Sequence, residues 1–472
     1  MSKHFRPWKI EETQLLPPCV QDFVDAKHLA RFIVALVRDD LDLSEITASY
    51  TSSLGQPPFD PRLMVALLLY AYCNGIYSSR RIAKAARERV DFMSIVALDA
   101  PDFRTISDFR KRHLKALAAL FVQVLKLAEK AGLVKLGHVA LDGTKIKANA
   151  SKHKAMSYAR MEARAAELEA EVAKWLAAAE AADAAEDKVH GDKRGDEMPK
   201  WVADKKLRAE KIRAAKAELE AEAKAAAEAK AAAQAEAEEQ RKAEGRNKPG
   251  KPAAPPREEP DGKAQKNFTD PESRIMQTKD GYIQGYNGQA AVDATAQVIV
   301  AHGLDARQSD QHQLTPMAEA IEANLGTKPG QLSADAGYCS DANIRALEAR
   351  AIDGYVATGR AKHAVDDASG RAVAPAMVDA AAAAPPALEP SGTELIGPPT
   401  RVQAMREKIR AGGHESPYRF RKQVVEPVFG QIKQARGFRQ FLLRGLDNVR
   451  AEWALVCTAH NLLKLAAGLQ RA

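Results

Sequence analysis

From about Ser157 to Glu244 the chain is dominated by Ala, Glu, Lys and Arg, and this stretch limits what the rest can become. These residues favour helix strongly but offer little apolar periodicity, so they cannot build a globular core by themselves. The pattern predicts two long helices, broken between Gly191 and Pro199, folded back as an exposed antiparallel hairpin. A Pro/Gly/Lys run from Gly245 to Gly262 (with NKPGKPAAPPREEPDG) then reads as a flexible linker. Ordinary globular patterning resumes beyond it. Residues 158–265 are therefore expected to be a helical insertion and linker, dividing a unit made of 131–157 and 266–472, with a separate helical unit at 1–130.

The first 130 residues carry helical spacing. Leu63, Ala66, Leu67, Tyr70 and Ala71 share a face, and Asn74-Gly75 breaks the run. A basic helix follows from an N-cap at Ser78 or Ser79, bearing Arg80, Arg81, Lys84 and Arg87. Helix, short glycine turn, basic helix is the outline of a helix-turn-helix, in which the second helix enters a DNA groove. One further helix is expected from Thr105 to about Ala131, with Arg110, Lys111 and Arg112 near its start.

Strand patterns appear after this. His138 to Gly143 reads as a short buried strand ending at a turn, with Asp142 and Gly143 at its end. Gly281 to Gly303 alternates as a two-strand meander turning at Asp293 to Ala296. A helix over Leu314 to Asn324, a strand over Leu332 to Ala334, a helix over Asn343 to Arg350 and a strand over Gly354 to Ala357 follow. Ala361 to Pro399 is Ala/Pro-rich and expected to be a loose loop, and Glu426 to Leu469 is expected to be helical. Strand, two strands, helix, strand, helix, strand, helix is the element order of a ribonuclease-H-like α/β fold, here preceded by an all-helical domain and interrupted after its first strand.

Charge and cysteine content narrow the partners. Lys and Arg number 70 against 62 Asp and Glu, a net charge of +8. The excess is concentrated: ten basic against three acidic residues from Tyr418 to Ala472, and ten against five from Ile76 to Lys115. Such patches suit a polyanion, of which nucleic acid is the commonest, although a solvated basic surface has the same composition. Cys19, Cys73, Cys339 and Cys457 are far apart, which argues against a zinc site or a disulfide framework and for a reducing, cytoplasmic setting. The charged N-terminus lacks the apolar core of a signal peptide. The longest apolar run, Met64 to Cys73, falls short of the roughly 20 residues a membrane span needs.

Three acids occupy positions that the expected fold brings together. Asp142 ends the first strand, Asp335 ends a later strand before the small residues Ala336 and Gly337, and Glu426 begins the C-terminal helix. Magnesium takes oxygen ligands and keeps several waters, so two or three carboxylates and a substrate phosphate suffice to hold it. Paired ions can then activate an attacking oxygen and stabilise a leaving one without a covalent nucleophile. An Asp after a strand is also an ordinary turn residue and a helical Glu is usually solvated, so residue chemistry alone leaves both readings open. On an ideal helix Glu426 and Lys433 lie about 20° apart, away from the apolar stripe of Val425, Val428 and Ile432, with Arg436 and Arg439 close by. Because proline is tolerated only in a first turn, Pro427 places the helix start near Val424 to Glu426.

These residues resemble the DDE transposases of bacterial insertion sequences, in the group with an N-terminal helical transposase domain. The resemblance rests on DPRLMVALLLYAYCNGIYSSRRIAKAARERVDFMSI with PDFRTISDFRKRH, then HVALDGTKIKANASKHKAMSY, DPESRIM with GYIQGYNGQAAVD, SADAGYCS, and VEPVFGQIKQARGFRQFLLRG with ALVCTAHNLLKL. It implies that Asp142, Asp335 and Glu426 are the catalytic, metal-binding acids, with Mg²⁺ (Mn²⁺ as a substitute) as cofactor. The family's C-terminal signature is Tyr, two residues, Arg, three residues, Glu, six residues, Lys. Tyr418, Arg421, Glu426 and Lys433 match it, except that four residues separate Arg421 from Glu426; Lys422 sits at the expected distance. The resemblance implies DNA contact by Lys433, Arg421, Lys422 and Tyr418. Arg436 and Arg439, and Arg80, Arg81, Lys84 and Arg87 of the basic helix, are further expected DNA contacts.

The expected function is a nucleoid-associated transposase acting on double-stranded DNA, both terminal inverted repeats and target, and working as a homodimer away from membranes. The competing reading is an inactive relic that serves as a DNA-binding or assembly protein.

Overall fold

The computed structural model describes residues 19–51, 57–190, 200–243, 255–278, 281–359 and 400–470. The expected linker (apart from 255–262), the helical break at 191–199 and the Ala/Pro-rich loop lie outside the described residues.

Among the described residues a 3₁₀ turn (Val20–Phe23) is followed by seven α-helices: α1 (Leu29–Asp39), the single turn α2 (Ser44–Thr47), α3 (Pro61–Cys73), α4 (Ser79–Glu88), α5 (Val90–Val96), α6 (Phe103–Arg112) and α7 (Leu114–Lys130). Helix α3 starts where Asp60 accepts from the Arg62 amide and Pro61 supplies a preset first turn. Its residues from Met64 to Cys73 are all buried, so it is a core helix rather than an amphipathic surface one. The single helix expected over 105–131 is two. Asp102 caps α6 by accepting from the Arg104 and Thr105 amides, and the chain turns at His113, whose ring packs on Phe109 and Tyr50. No Gly or Pro marks that turn, which is why periodicity ran through it.

Strand β1 (His138–Lys147) is ten residues long and continues past Asp142. The turn expected at Gly143 is absent: Gly143 is a strand residue paired with Gln289. A short β2 (Ala155–Ser157) leads into α8 (Tyr158–His190) and α9 (Lys200–Ala243). These two helices run antiparallel, with Lys216 on Glu162 at 2.9 Å, Arg213 on Glu169 at 3.1 Å and Lys205 on Glu171. A small core of Met161, Leu168, Ile212 and Leu219 lies between them. Strand β3 (Gln265–Asn267) pairs with β2 at the base of this hairpin.

The main sheet is completed by β4 (Arg274–Thr278), β5 (Gly281–Asp293), β6 (Ile299–Asp305), then β7 (Gln331–Ala334) after α10 (Leu314–Leu325), and β8 (Asp353–Val356) after α11 (Asp341–Ala349). The first five residues of β5 pair with β4; most of the remainder lies between β6 and β1. Across the sheet the order is β6, β5, β1, β7, β8, with the β6–β5–β1 pairs antiparallel and the β1–β7–β8 pairs parallel.

The C-terminal region holds α12 (Arg401–Ala411), α13 (Pro417–Gly430), a π-helical turn over Gln431–Ala435, and α14 (Leu446–Leu469). Helix α13 begins nine residues before Glu426, and Pro427 lies inside it. The expected start near Val424 is thus corrected. Proline removes the N–H that would bond the Gln423 carbonyl, and the Gln297 side-chain amide donates to that carbonyl instead, at 3.1 Å. One hydrophobic cluster runs from Val24 to Leu465 and includes both the N-terminal helices and the sheet. Helices α7 and α14 pack on each other, and Phe121 of α7 stacks edge-on to His302 of β6 at 4.5 Å.

Candidate active site

The last aligned pair of the parallel β1–β7 ladder is Leu141 with Ala334. Asp142 is the next residue of β1 and Asp335 the first residue past β7, so the fold brings the two carboxylates close enough at the middle of the sheet for each charge to act on the other. Burial and the charge of Asp335 push the Asp142 carboxyl above its ordinary range, against the opposing pull of Arg421. Asp142 accepts from the Gly143 amide at 2.8 Å and from Arg421 Nη1 at 2.9 Å. Asp335 is half-buried and caps a single 3₁₀ turn by accepting from the Gly337 amide at 2.8 Å.

Arg421 is only 7 % exposed, and its Nε is buried without a hydrogen-bond partner. It reaches Asp142 from α13, with the Tyr418 ring 5.9 Å from its guanidinium. Glu426 lies on the same helix but faces solvent. The extra residue between them gives the reason. At about 100° per residue, five steps carry Glu426 about 140° around the helix from Arg421, whereas four would leave it about 40° away. Lys422, four residues before Glu426, is exposed with it. Among the described residues no three His, Cys, Asp or Glu side chains come together as a metal-holding group. This conformation therefore unites Asp142 with Asp335 and leaves Glu426 outside the pair.

The basic residues divide. The π-helical turn, with its wider i to i+5 closure, carries Lys433 to β1, where Nζ donates to the Lys145 carbonyl at 2.7 Å. Burial, with Lys145 and Arg439 nearby, pushes the Lys433 ammonium down to about 8. Arg439 is exposed; its Nε donates to the Lys433 carbonyl at 3.2 Å. Arg436 does not share that exposed face. It is buried, with Nη2 3.3 Å from His460 Nδ1, so the placement expected for it is corrected. On the N-terminal helices Arg80, Arg81, Lys84 and Arg87 are exposed along α4. They adjoin exposed Arg104, Lys111 and Arg112 of α6, and Arg80 stacks over Phe103 at 5.2 Å. Arg110, by contrast, points inward to the Tyr77 carbonyl at 2.8 Å.

Two polar residues beside the acids were not visible in the sequence. Lys145 Nζ donates to the Gln308 carbonyl at 2.6 Å and lies 3.8 Å from Asp310. Asp310 sits in a polar loop after β6, where one acid among Arg, Gln and Ser residues gives no signal.

The family model described as Transposase DDE domain matches residues 256–462, and the one described as Transposase domain (DUF772) matches residues 18–112. The chain belongs to the DDE-type insertion-sequence transposases. No curated protein and no solved structure matches it. The DDE domain brings with it a ribonuclease-H-like fold and makes the transposase an enzyme that cleaves and transfers DNA. Asp335 and Glu426 fall within the matched DDE range, and Asp142 lies between the two matched ranges. Transposases of this family use divalent metal ions, and Asp142 with Asp335 offers the hard oxygen donors such ions take. Among the described residues no helix of the transposase is long and apolar enough to cross a membrane.

Proposed function

We propose that this transposase binds the terminal inverted repeats of its own element, cleaves strand ends there and joins the freed 3′-hydroxyls to target DNA. The observation that carries this reading is the meeting of Asp142 and Asp335 just beyond the last pair of two parallel strands, with buried Arg421 on the first. Two like charges at this depth call for a cation, and Arg421 supplies one to Asp142.

Mg²⁺, or Mn²⁺ in its place, would be held by Asp142 and Asp335, with Glu426 as third acid once DNA engages α13. Bound there, the metal supplies Lewis-acid activation of the attacking oxygen and stabilisation of the leaving one. In the first step water attacks a phosphorus at the element end and the P–O3′ bond breaks, leaving a 3′-hydroxyl on the element. In the second, that 3′-oxygen attacks a target phosphorus and displaces the target 3′-oxygen. Arg421 orients the Asp142 carboxylate and opposes its protonation. Lys433, Arg439 and Lys422 give the phosphate backbone a positive border, and Tyr418 braces Arg421. The exposed cations of α4 bind the repeat, and two copies act together, one on each end.

Alanine at Asp142, Asp335 or Glu426 is expected to abolish Mg²⁺-dependent strand cleavage while leaving end binding intact, measured on labelled duplexes carrying the element's ends. Full cleavage by the Asp335→Ala protein would overturn the assignment. Light scattering of the end complex tests the dimer.

A further inference from the structure

Successive strand residues face opposite sides of a sheet, and this alternation separates two groups of side chains on β1. Asp142, opposite Ala290, belongs to one face; Gly143 and Lys145, opposite Gln289 and Asn287, belong to the other. Asp310 packs against that second face of β1 and beside Asp335: a Cβ on Gly337 would lie 3.0 Å from Asp335 Oδ1 and 3.3 Å from Asp310 Oδ2. Its Oδ1 accepts from Asn287 Nδ2 at 2.6 Å and from Gln289 Nε2 at 2.7 Å, and both amides belong to fully buried residues. Gln289 Oε1 in turn accepts from the hydroxyl of Tyr338, which ends the turn that Asp335 caps. A Cβ on Gly143 would lie 2.5 Å from Asp310 Oδ1. The Asp310 carboxylate is thus wedged between the segment that carries Asp142 and the segment that carries Asp335, in space that two glycines leave open.

We propose that Asp310 is a positioning residue of this site, tying β1, β5 and the β7 exit together so that Asp142 and Asp335 keep the spacing a divalent cation needs. The proposal rests on the reading that those two acids bind metal. Residues that orient metal ligands through such contacts commonly change metal affinity by about 10- to 100-fold when removed. Replacement by Asn keeps one oxygen for both amide donors, whereas Ala leaves two buried amides unpaired.

The test is Mn²⁺ binding to the full-length protein without DNA, followed by the electron paramagnetic resonance signal of free Mn²⁺, alongside thermal melting. Asp335→Ala is expected to lose the site. Asp310→Ala is expected to bind Mn²⁺ at least about tenfold more weakly, and Asp310→Asn to recover most of that loss. Where Asp310→Ala does not fold, Asp310→Ser, which keeps a polar but shorter side chain, is expected to show the same weakening. Wild-type Mn²⁺ affinity in the folded Ala or Ser variant, with Asp335→Ala still inactive in binding, overturns the role of Asp310 and leaves the metal reading standing. A lowered melting temperature with unchanged affinity has the same meaning. Wild-type affinity in Asp335→Ala overturns both.

Discussion

Lys433 and Glu452 show how burial turns single residues into pH-sensitive parts. The Lys433 ammonium is held near 8, below the ordinary lysine value, so it is charged at pH 7 and loses its proton as pH rises through 8. End-binding affinity is therefore expected to fall between pH 7 and 9 in the wild type, and the fall should disappear in Lys433→Arg, whose guanidinium stays charged. Parallel pH profiles for the two proteins in a fluorescence-anisotropy titration would remove Lys433 from the DNA contacts. Glu452 of α14 is fully buried and accepts from the Leu442 and Leu443 amides at 3.0–3.2 Å, pinning the loop that follows Lys433. Burial raises its carboxyl to about 7, from 4.5. The folded state then binds more protons than the unfolded one between these values, so its stabilising contribution is complete below pH 4.5 and is lost as pH rises through 7. Glu452→Gln should flatten that decline, which is on the order of 3 kcal/mol. Urea denaturation at several pH values measures it. In the sequence, Asp142 and Asp335 stood out because each follows a short apolar run and precedes small residues. Asp310 did not, since its meaning comes from two glycines far from it in the chain.

At the scale of elements, two departures from sequence expectation share one cause: tertiary contacts overrode local breakers. Gly143 signalled a turn, yet it continues β1 because its missing side chain makes room for Asp310. Pro427 signalled a helix start, yet α13 runs through it because Gln297 satisfies the freed Gln423 carbonyl. That arrangement predicts the effect of Pro427→Ala. A restored N–H and the removal of ring strain should stabilise the protein by about 1–3 kcal/mol, read as a higher denaturation midpoint. An unchanged or lower midpoint would mean that the Gln297 contact is worth more than the helix bond it replaces. Helices α1 and α5 were covered only by the general helical reading of the first 130 residues, and α12 and strands β2, β3 and β4 went unread; β2 and β3 are three residues each, and β4 holds an edge whose alternation lasts five residues. The long apolar and strongly periodic elements, α3, α10 and the β5–β6 meander, were legible.

For the whole molecule, composition announced the hairpin of α8 and α9, while nothing in it announced that the N-terminal helices share a core with the sheet. Charge and periodicity suggested a separate helical unit over the first 130 residues; the continuous cluster from Val24 to Leu465 joins it to the catalytic sheet. Phe121→Ala, which empties the contact with His302 between α7 and β6, should cost about 3–5 kcal/mol. It should lower a single cooperative transition rather than one of two. Two resolved transitions in calorimetry would show that the halves melt independently. This shared core also sets a length. The basic surface of α4 is joined to the Asp142–Asp335 pair through packed side chains rather than a tether, so the two stand a fixed span apart. Under the proposed end binding by α4 and cleavage at Asp142 and Asp335, such a molecule would measure: the packing of α3, α7 and α14 would set the number of base pairs between the bound sequence and the cut, and changing that packing should move the cut.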